Sequence, residues 1–494
     1  MRILLDTNIF IPLEDSSIPL SKQIAELNRI VSGKHELLIH PDTKRDINRD
    51  KDQKRKQKFI ERIKKYNPLN TPPFLDKETE IKLFGKPKKD NDSVDHQILY
   101  ALHKNSVHWL ITEDQGIHKK AKLLGDNERV LTVNQAIDIL NQQNPEDSKL
   151  FPRIQKVPCH SIDLSNVFFT SLRDGYPEFD DWFDKRCARN ARDAWICKED
   201  AEIHAICIYK TETDPIVNKE DSALRGKVLK LCTFKVAKTG NKIGELLLKQ
   251  AFSFAIEYQL DYMYLTVDTE KHAMLETLLI DYGFYRNGID PNNRDTVLVK
   301  HFPKTPPEAD EEPLEYAIKY YPCINGLKSD FYIVPIQPQY HRVLFPEIEC
   351  QPDLFCTNNE SAGNSIKQAY LCKTPTKSIK PGDILFFYRT GDEKAITTYG
   401  IVDQFHIESD PEKIMQWVSK RTVFNYKEIK ELATSEVKVI LFRFIGHLEE
   451  KITFSKLKQT EIVNGSIQSI TQLKKDKIGL IIHEAKIENR TLFN

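Results

Sequence analysis

The sequence predicts a multidomain α/β chain: a doubly wound parallel sheet at the N-terminus, a central α+β region and a C-terminal β-barrel. Three observations carry this. To about residue 140, continuous apolar runs alternate with amphipathic stretches, the pattern of strands buried on both faces and connected by helices. From about 155 to 301, two strand-like runs joined as a hairpin precede a long helical run. Beyond 314, short β-branched and aromatic runs are separated by Pro-Gly and Gly turns, which favours a small barrel. Two polar, proline-bearing stretches, "NQQNPEDSKLFPR" at 141–153 and "FPKTPPEADEEP" at 302–313, separate the parts and are expected to bury little. The expected domains are 1–145, 154–303 and 314–494.

Lys plus Arg equals Asp plus Glu at 72 each, so no global field draws in nucleic acid and any basic surface must be local. The nine cysteines show no paired metal spacing, and reduced thiols are expected. With Asp6 inside what would be the apolar core of a signal peptide, and no apolar run near the roughly 20 residues of a membrane span, a cytoplasmic protein without a membrane partner is expected.

In the first part the elements read in order as the strand "RILLD", the helix "SKQIAELNRIVSG", the strand "HELLIHP", the helix "DHQILYALHKNS", the strand "VHWLITED", the helix "HKKAKLLG", the strand "ERVLTV" and the helix "NQAIDIL". Ligands of such sheets bind beyond the carboxyl ends of the strands. Asp6 and Asp114 stand at two such ends, and Asp46, Asp92 and Asp95 fall on adjoining helical segments. Any one of these aspartates could be a helix N-cap. Asp42, Asp46 and Asp50 lie four apart, and Asp92 and Asp95 three apart, so each helix could aim acids at one point. Converging carboxylates raise each other's pKa unless a cation joins them, and oxygen-only ligands favour Mg²⁺ or Mn²⁺.

The "LLDTN" opening, the acid after the second strand, "DSVDHQIL" and "LITED" together resemble the PIN domain, a metal-dependent nuclease fold, over roughly residues 1 to 140. The resemblance implies a catalytic quartet of Asp6, Asp46, Asp95 and Asp114. It implies metal ligation by Asp6, Asp95 and Asp114, with Asp92 replacing or assisting Asp95, and Asn8 and Thr112 as orienting neighbours. The family usually carries glutamate where this chain has Asp46. Metal-held water would hydrolyse a phosphodiester. In the run "RDKDQKRKQKFIERIKK", a solvated helix face is the plain reading, and Lys54, Arg55, Lys56 and Lys58 are candidates for holding an RNA backbone.

In the central part, a strand leads through "KTGNKIG" into the helix "IGELLLKQAFSFAIEYQ", offering unpaired amides at a positive helix end that suit a pyrophosphate. With "LLIDYGF" before the last strand, the segment resembles a GNAT acetyltransferase. The resemblance implies acetyl-CoA at Val236, Lys238, Gly240, Lys242, Ile243 and Gly244. Lys242 stands where the family prefers glycine. Leu279 stands where a tyrosine often protonates the leaving thiolate, and Tyr282 is the alternative acid.

In the last part, "KPGDILFFYRT" followed by "TTYGIVDQF" resembles the PUA-like superfamily, particularly its EVE and ASCH branches, which implies reading of RNA or modified bases. Most aromatics of a β core are simply packed. Tyr388 with Arg389, and Trp417 with Arg421, each join a stacking surface to a cation and are the candidate RNA contacts. His341 and Arg342 are expected at the same mouth. The whole chain then reads as a metal-dependent endoribonuclease acting on RNA, toxin-like in architecture and open to an antitoxin-like or regulatory protein partner. Two other readings are an N-acetyltransferase acting on a protein or aminoacyl-tRNA, with the PIN part regulatory, and a non-catalytic RNA-binding scaffold.

Overall fold

The computed structural model describes residues 2–14, 22–31, 35–69, 72–141, 153–199, 202–220, 223–237, 242–292, 295–308, 310–349, 361–418, 421–424, 426–487 and 490–493. Among them no helix is long and apolar enough to cross a membrane. The chain forms two compact units: residues 1–147 with 409–434, and residues 148–408 with 435–494.

The first unit is built on five parallel strands: β1 (Arg2–Leu5), β2 (Glu36–Ile39), β3 (Asn67–Pro68), β4 (Trp109–Ile111) and β5 (Val130–Leu131). Their order is β3-β2-β1-β4-β5, and every pair is parallel. Ile3, Leu4 and Leu5 are essentially without solvent exposure, as a strand covered on both faces requires. The sheet is wound outward from its centre in both directions, so the chain reverses its progress between β1 and β4. That break leaves a crevice beyond the strand ends, where ligands of such sheets sit.

An unexpected member joins this unit. Residues 409–434, with helices Pro411–Val418 and Tyr426–Leu432, leave the C-terminal sheet and pack in the first unit. Glu412 meets His108, and Arg421 meets Glu128.

The second unit holds a seven-stranded sheet of β6 (Arg153–Pro158), β7 (Asp193–Glu199), β8 (Glu202–Thr213), β9 (Lys227–Val236), β10 (Tyr262–Val267), β11 (Tyr285–Ile289) and β12 (Thr296–His301). Its order is β11-β12-β10-β9-β8-β7-β6, and only the β9–β10 pair is parallel. The short pair β13 (Ile324–Asn325) and β20 (Leu492–Phe493) lies apart. A six-stranded sheet follows, made of β14 (Phe331–Ile336), β15 (Lys367–Cys372), β16 (Ile384–Arg389), β17 (Ala395–Glu408), β18 (Val437–Thr453) and β19 (Thr471–Gln472). Its hydrogen-bonded order is β15-β18-β17-β16-β14-β19, with no pairing between β15 and β19 among the described residues.

The expected boundary at 302–313 does not separate two cores. Phe302 is fully buried, and one apolar cluster runs from Leu247 and Phe252 through Tyr321 and Phe331 to Ile384 and Phe386. Arg490 donates to the carbonyl of Phe302 at 2.7 Å and to that of Pro303 at 3.2 Å. A charged, proline-bearing stretch can still cross a buried interface when its apolar residues and carbonyls find partners there. Most of the other expected linker, 141–153, lies outside the described residues.

Candidate functional site

Asp6 ends β1 at the crevice. Its amide donates to the carbonyl of Ile111 at 3.1 Å, which fixes it beside the end of β4, and its own carbonyl accepts from Ile9 and Phe10 at 3.0 Å to start the next helix. The side chain is buried. Its carboxylate accepts from the Thr112 hydroxyl and the Thr7 amide, both at 2.6 Å. Thr112, fully buried, also accepts from Asn8 Nδ2 at 3.1 Å and from the Asp114 amide at 2.9 Å. One hydroxyl thus ties Asp6, Asn8 and Asp114 together.

Asp114 caps the helix Gln115–Leu123, accepting from the Ile117 amide at 3.0 Å. A side chain at residue 116 would meet that carboxylate at 2.9 Å, so Gly116 leaves it room. Asp46 lies in the first turn of the helix Thr43–Asn48. It accepts from the Thr7 hydroxyl at 3.2 Å and from Arg49 at 2.8 Å. Asp95 comes from the helix Asp90–His103.

These four carboxylates act on one another. Burial, with smaller contributions from Asp114 and Asp46, pushes Asp6 up to about 6 against the opposing pull of Thr112 and Thr7. Burial first, then Asp6, Asp114 and Asp46, pushes Asp95 up to about 7. Burial also raises Asp46, with Thr7 and Arg49 opposing. Like charges that cannot be separated or paired behave this way. Among the described residues, however, no three His, Cys, Asp or Glu side chains are gathered as a metal-holding set. The carboxylates share a field without standing as a preformed chelate.

Other expected residues fall elsewhere. Asp92 is turned to its own helix end. It accepts from the Lys88 amide at 2.7 Å and the Lys89 amide at 3.1 Å, and these bonds hold it below the usual carboxylate range. The helix after β2 is too short to carry Asp42, Asp46 and Asp50 on one face: Asp42 precedes it and Asp50 lies beyond it. Asp50 instead accepts from Arg55 at 2.8 Å, which occupies that candidate RNA contact. Lys56 is half-buried, and the side chains of Lys54 and Lys58 lie outside the described residues.

Sequence reasoning missed a basic cavity beside Asp46. Arg45, Arg49, Lys88, Lys89 and Ser93 line a cavity of about 310 Å³. The signal was present in "DTKRDINRD", where Arg45 precedes Asp46 and Arg49 follows it at the helix C-cap.

In the second unit, Val236 ends β9 and Ile243 and Gly244 begin the helix Ile243–Glu257; Lys238 and Gly240 lie outside the described residues. Lys242, at φ +53°, sends its ammonium to Ser365 at 2.8 Å. Glu245, in the helix's first turn, accepts from the Tyr282 hydroxyl at 2.8 Å, the Ser365 hydroxyl at 3.0 Å and the Ile366 amide at 2.9 Å. Tyr282 is therefore a residue of the shared core and not an exposed acid. Its phenol is buried and pushed well above its ordinary value, by burial first and then by Glu245. Leu279 is fully buried as well.

A second cavity, of about 640 Å³, opens on the six-stranded sheet, with Tyr370, Tyr388, Phe454, Lys373, Lys394 and Gln468 among its lining. Rings of Tyr388 and Phe454 stand edge to face at 6.4 Å. Residues 367–484 match the EVE domain. No curated protein matches the chain. Similar solved structures include the ASCH protein of Zymomonas mobilis at 12% identity, covering 31% of this chain and 94% of that one with a TM-score of 0.24. An IAA acetyltransferase of Bacillus cereus matches at 15% identity, over 30% of this chain and 98% of that one, with a TM-score of 0.21. An N-acetyltransferase of Thermoplasma acidophilum in complex with coenzyme A matches at 13% identity, with coverages of 30% and 98% and a TM-score of 0.24.

Within the EVE match, the expected RNA contacts divide. Tyr388 lines the cavity. Arg389 is buried and held by Asp392, donating from Nε at 2.8 Å, so it offers no exposed cation beside Tyr388. Trp417 and Arg421 belong to the segment that packs in the first unit. Arg421 is buried against Glu128 there, which removes the pair from the cavity. His341 is buried with its Nε2 at 2.8 Å from the Thr397 hydroxyl, and burial pushes it down to about 3. Arg342 faces Asp392 at 3.5 Å. These buried cations are held by acids, and the exposed cations of the cavity are Lys373 and Lys394, beside the rings of Tyr370, Tyr388 and Phe454.

Proposed function

We propose that this chain binds RNA through the EVE domain and hydrolyses it at the carboxylate edge of the first unit, as a PIN-type endoribonuclease. One observation supports the reading above the others: burial first, then repulsion from Asp6, Asp114 and Asp46, drives Asp95 to about 7. A fold keeps like charges together at a cost, and functional sites are where such a cost is tolerated.

The donors fit a hard divalent cation in their chemistry, since all are oxygens and a cation would relieve the repulsion. Binding of Mg²⁺ or Mn²⁺ would draw Asp6, Asp46, Asp95 and Asp114 together, since among the described residues they form no preformed metal-holding set. When bound, such an ion supplies a water of lowered pKa and neutralises charge developing on a phosphodiester. The chain's own residues do the rest. Thr112 fixes one oxygen of Asp6 while Asn8 and the Asp114 amide fix Thr112. Thr7 holds Asp6 through its amide and Asp46 through its hydroxyl.

The functional parts in this reading run over 1–145, 154–303 and 314–494. The cavity beside Tyr388 and Phe454 would stack a base of the same RNA. The central part is GNAT-like in its element order, but its residues do not fit acetyl transfer. Leu279 has no proton to give, the buried Tyr282 hydroxyl donates its hydrogen bond to Glu245, and Lys242 reaches Ser365. We derive no transfer step.

The test is incubation of the purified chain with mixed RNA, with Mg²⁺, Mn²⁺ or chelator, beside Asp6→Asn. Metal-dependent cleavage lost in the variant supports the reading. RNA binding without cleavage in any metal reduces the chain to a binding protein.

A further inference from the structure

Beside the carboxylate edge, the helix Thr43–Asn48 and the segment leading into Asp90–His103 enclose the cavity lined by Arg45, Arg49, Pro87, Lys88, Lys89 and Ser93. Its lining carries four cations and no carboxylate. Arg45 has only a loose pairing with Asp42 at 3.6 Å, and Arg49 is paired with Asp46 at 2.8 Å. Lys88 and Lys89 are exposed and make no ion pair among the described residues. Their amides are held by Asp92, so the turn that presents them is fixed while their ammonium groups stay in solvent.

We propose that this cavity is a seat for a backbone phosphate of single-stranded RNA, next along the strand to the bond that is cut; it rests on the reading of the carboxylate edge as the cleavage centre. Arg49 joins the two places, because the same guanidinium lines the cavity and donates to Asp46. A chain with no net charge must gather its phosphate affinity locally. Two exposed lysines with no ion pair among the described residues, next to an acidic edge that would otherwise repel RNA, are where that affinity is gained. The long basic run at 49–65 serves less well, since Arg55 is spent on Asp50.

The experiment measures binding of a fluorescein-labelled single-stranded RNA to the full chain in chelator, across a range of salt, for the wild type and Lys88→Ala/Lys89→Ala. Two lost phosphate contacts should weaken binding about tenfold and make the slope of log K against log salt shallower by about 1.4. Both side chains are exposed, so the fold is not at risk, and circular dichroism checks it. Unchanged affinity and slope overturn the seat, even if Asp6→Asn still abolishes cleavage. Weakened binding in a chain that cleaves in no metal overturns the hydrolase reading instead, and with it the link to a cut bond. With cleavage present, the lysine variant should raise KM about tenfold and leave kcat near the wild-type value, because the contact is the same before and during reaction.

Discussion

Asp95→Asn should stabilise the first unit, although it removes a native side chain. Asp95 rises from 3.8 to about 7 because it is desolvated beside Asp6, Asp114 and Asp46. A rise of about 3 units at roughly 1.4 kcal/mol each sets an upper limit of about 4 kcal/mol. Asp95 is only partly buried, and solvent screening reduces the figure to about 2 kcal/mol. The sign follows from proton binding. Between pH 4 and 7 the folded chain holds a proton on Asp95 that the unfolded chain has lost, so stability is full below the unfolded value and falls as pH rises through about 7. Asparagine mimics the protonated form at every pH. The variant should therefore lead at pH 8 by about 4–8 °C in the melting of this unit, and by well under half of that at pH 5. Thermal scans in chelator, with hydrogen exchange along Asp90–His103 to locate the change, measure it. A variant less stable than wild type at pH 8, or a gain that does not shrink at pH 5, would refute the argument from repulsion. Saturating Mg²⁺ should shrink the lead by stabilising the wild type alone.

Three further outcomes are expected. Phe454→Ala, at a half-buried ring beside Tyr388, should weaken RNA binding about tenfold, as loss of one stacking partner does, and filter binding will show it; full affinity would remove the cavity from the RNA path. Glu245→Ala should lower the stability of the second unit by about 3 kcal/mol, since three donors lose a charged acceptor, which urea denaturation reads. Thiol release from acetyl-CoA with an amine acceptor should stay at the buffer rate, because Leu279 and Tyr282 supply no accessible proton; turnover above that rate would restore the transferase reading.

The parallel sheet was legible because its strands are short runs such as Ile3, Leu4 and Leu5 that have no polar face, and that pattern has one common solution. The carboxylates were legible as strand-end and helix positions, yet the separate part of Asp92 was not. Asp92 and Asp95 are one turn apart and equally acidic in sequence, but Asp92 meets the free amides of Lys88 and Lys89, an interaction set by the backbone path into the helix. The same limit hid the fate of Trp417 and Arg421. Sequence adjacency put them in the C-terminal sheet, whereas long-range packing draws residues 409–434 out of it to the first unit. Arg389 illustrates a third case: alternation along β16 could not show that Asp392, three residues on, closes over its guanidinium.

The central part and the EVE domain share a core, and this bears on what the helix Ile243–Glu257 is committed to. In a helix that begins after a strand, the first turn has unpaired amides and a positive end, which is the asset a pyrophosphate uses. Here the first turn carries Glu245, whose charge offsets that end, and Glu245 is spent on Ser365, Ile366 and Tyr282. Further along the same helix, Lys249 pairs with Glu347 and lies 4.2 Å from the Phe444 ring centroid. The side chains along one face of this helix thus hold the C-terminal sheet. A helix committed in this way has less freedom to admit a cofactor, and what it gains is a rigid base for the EVE cavity.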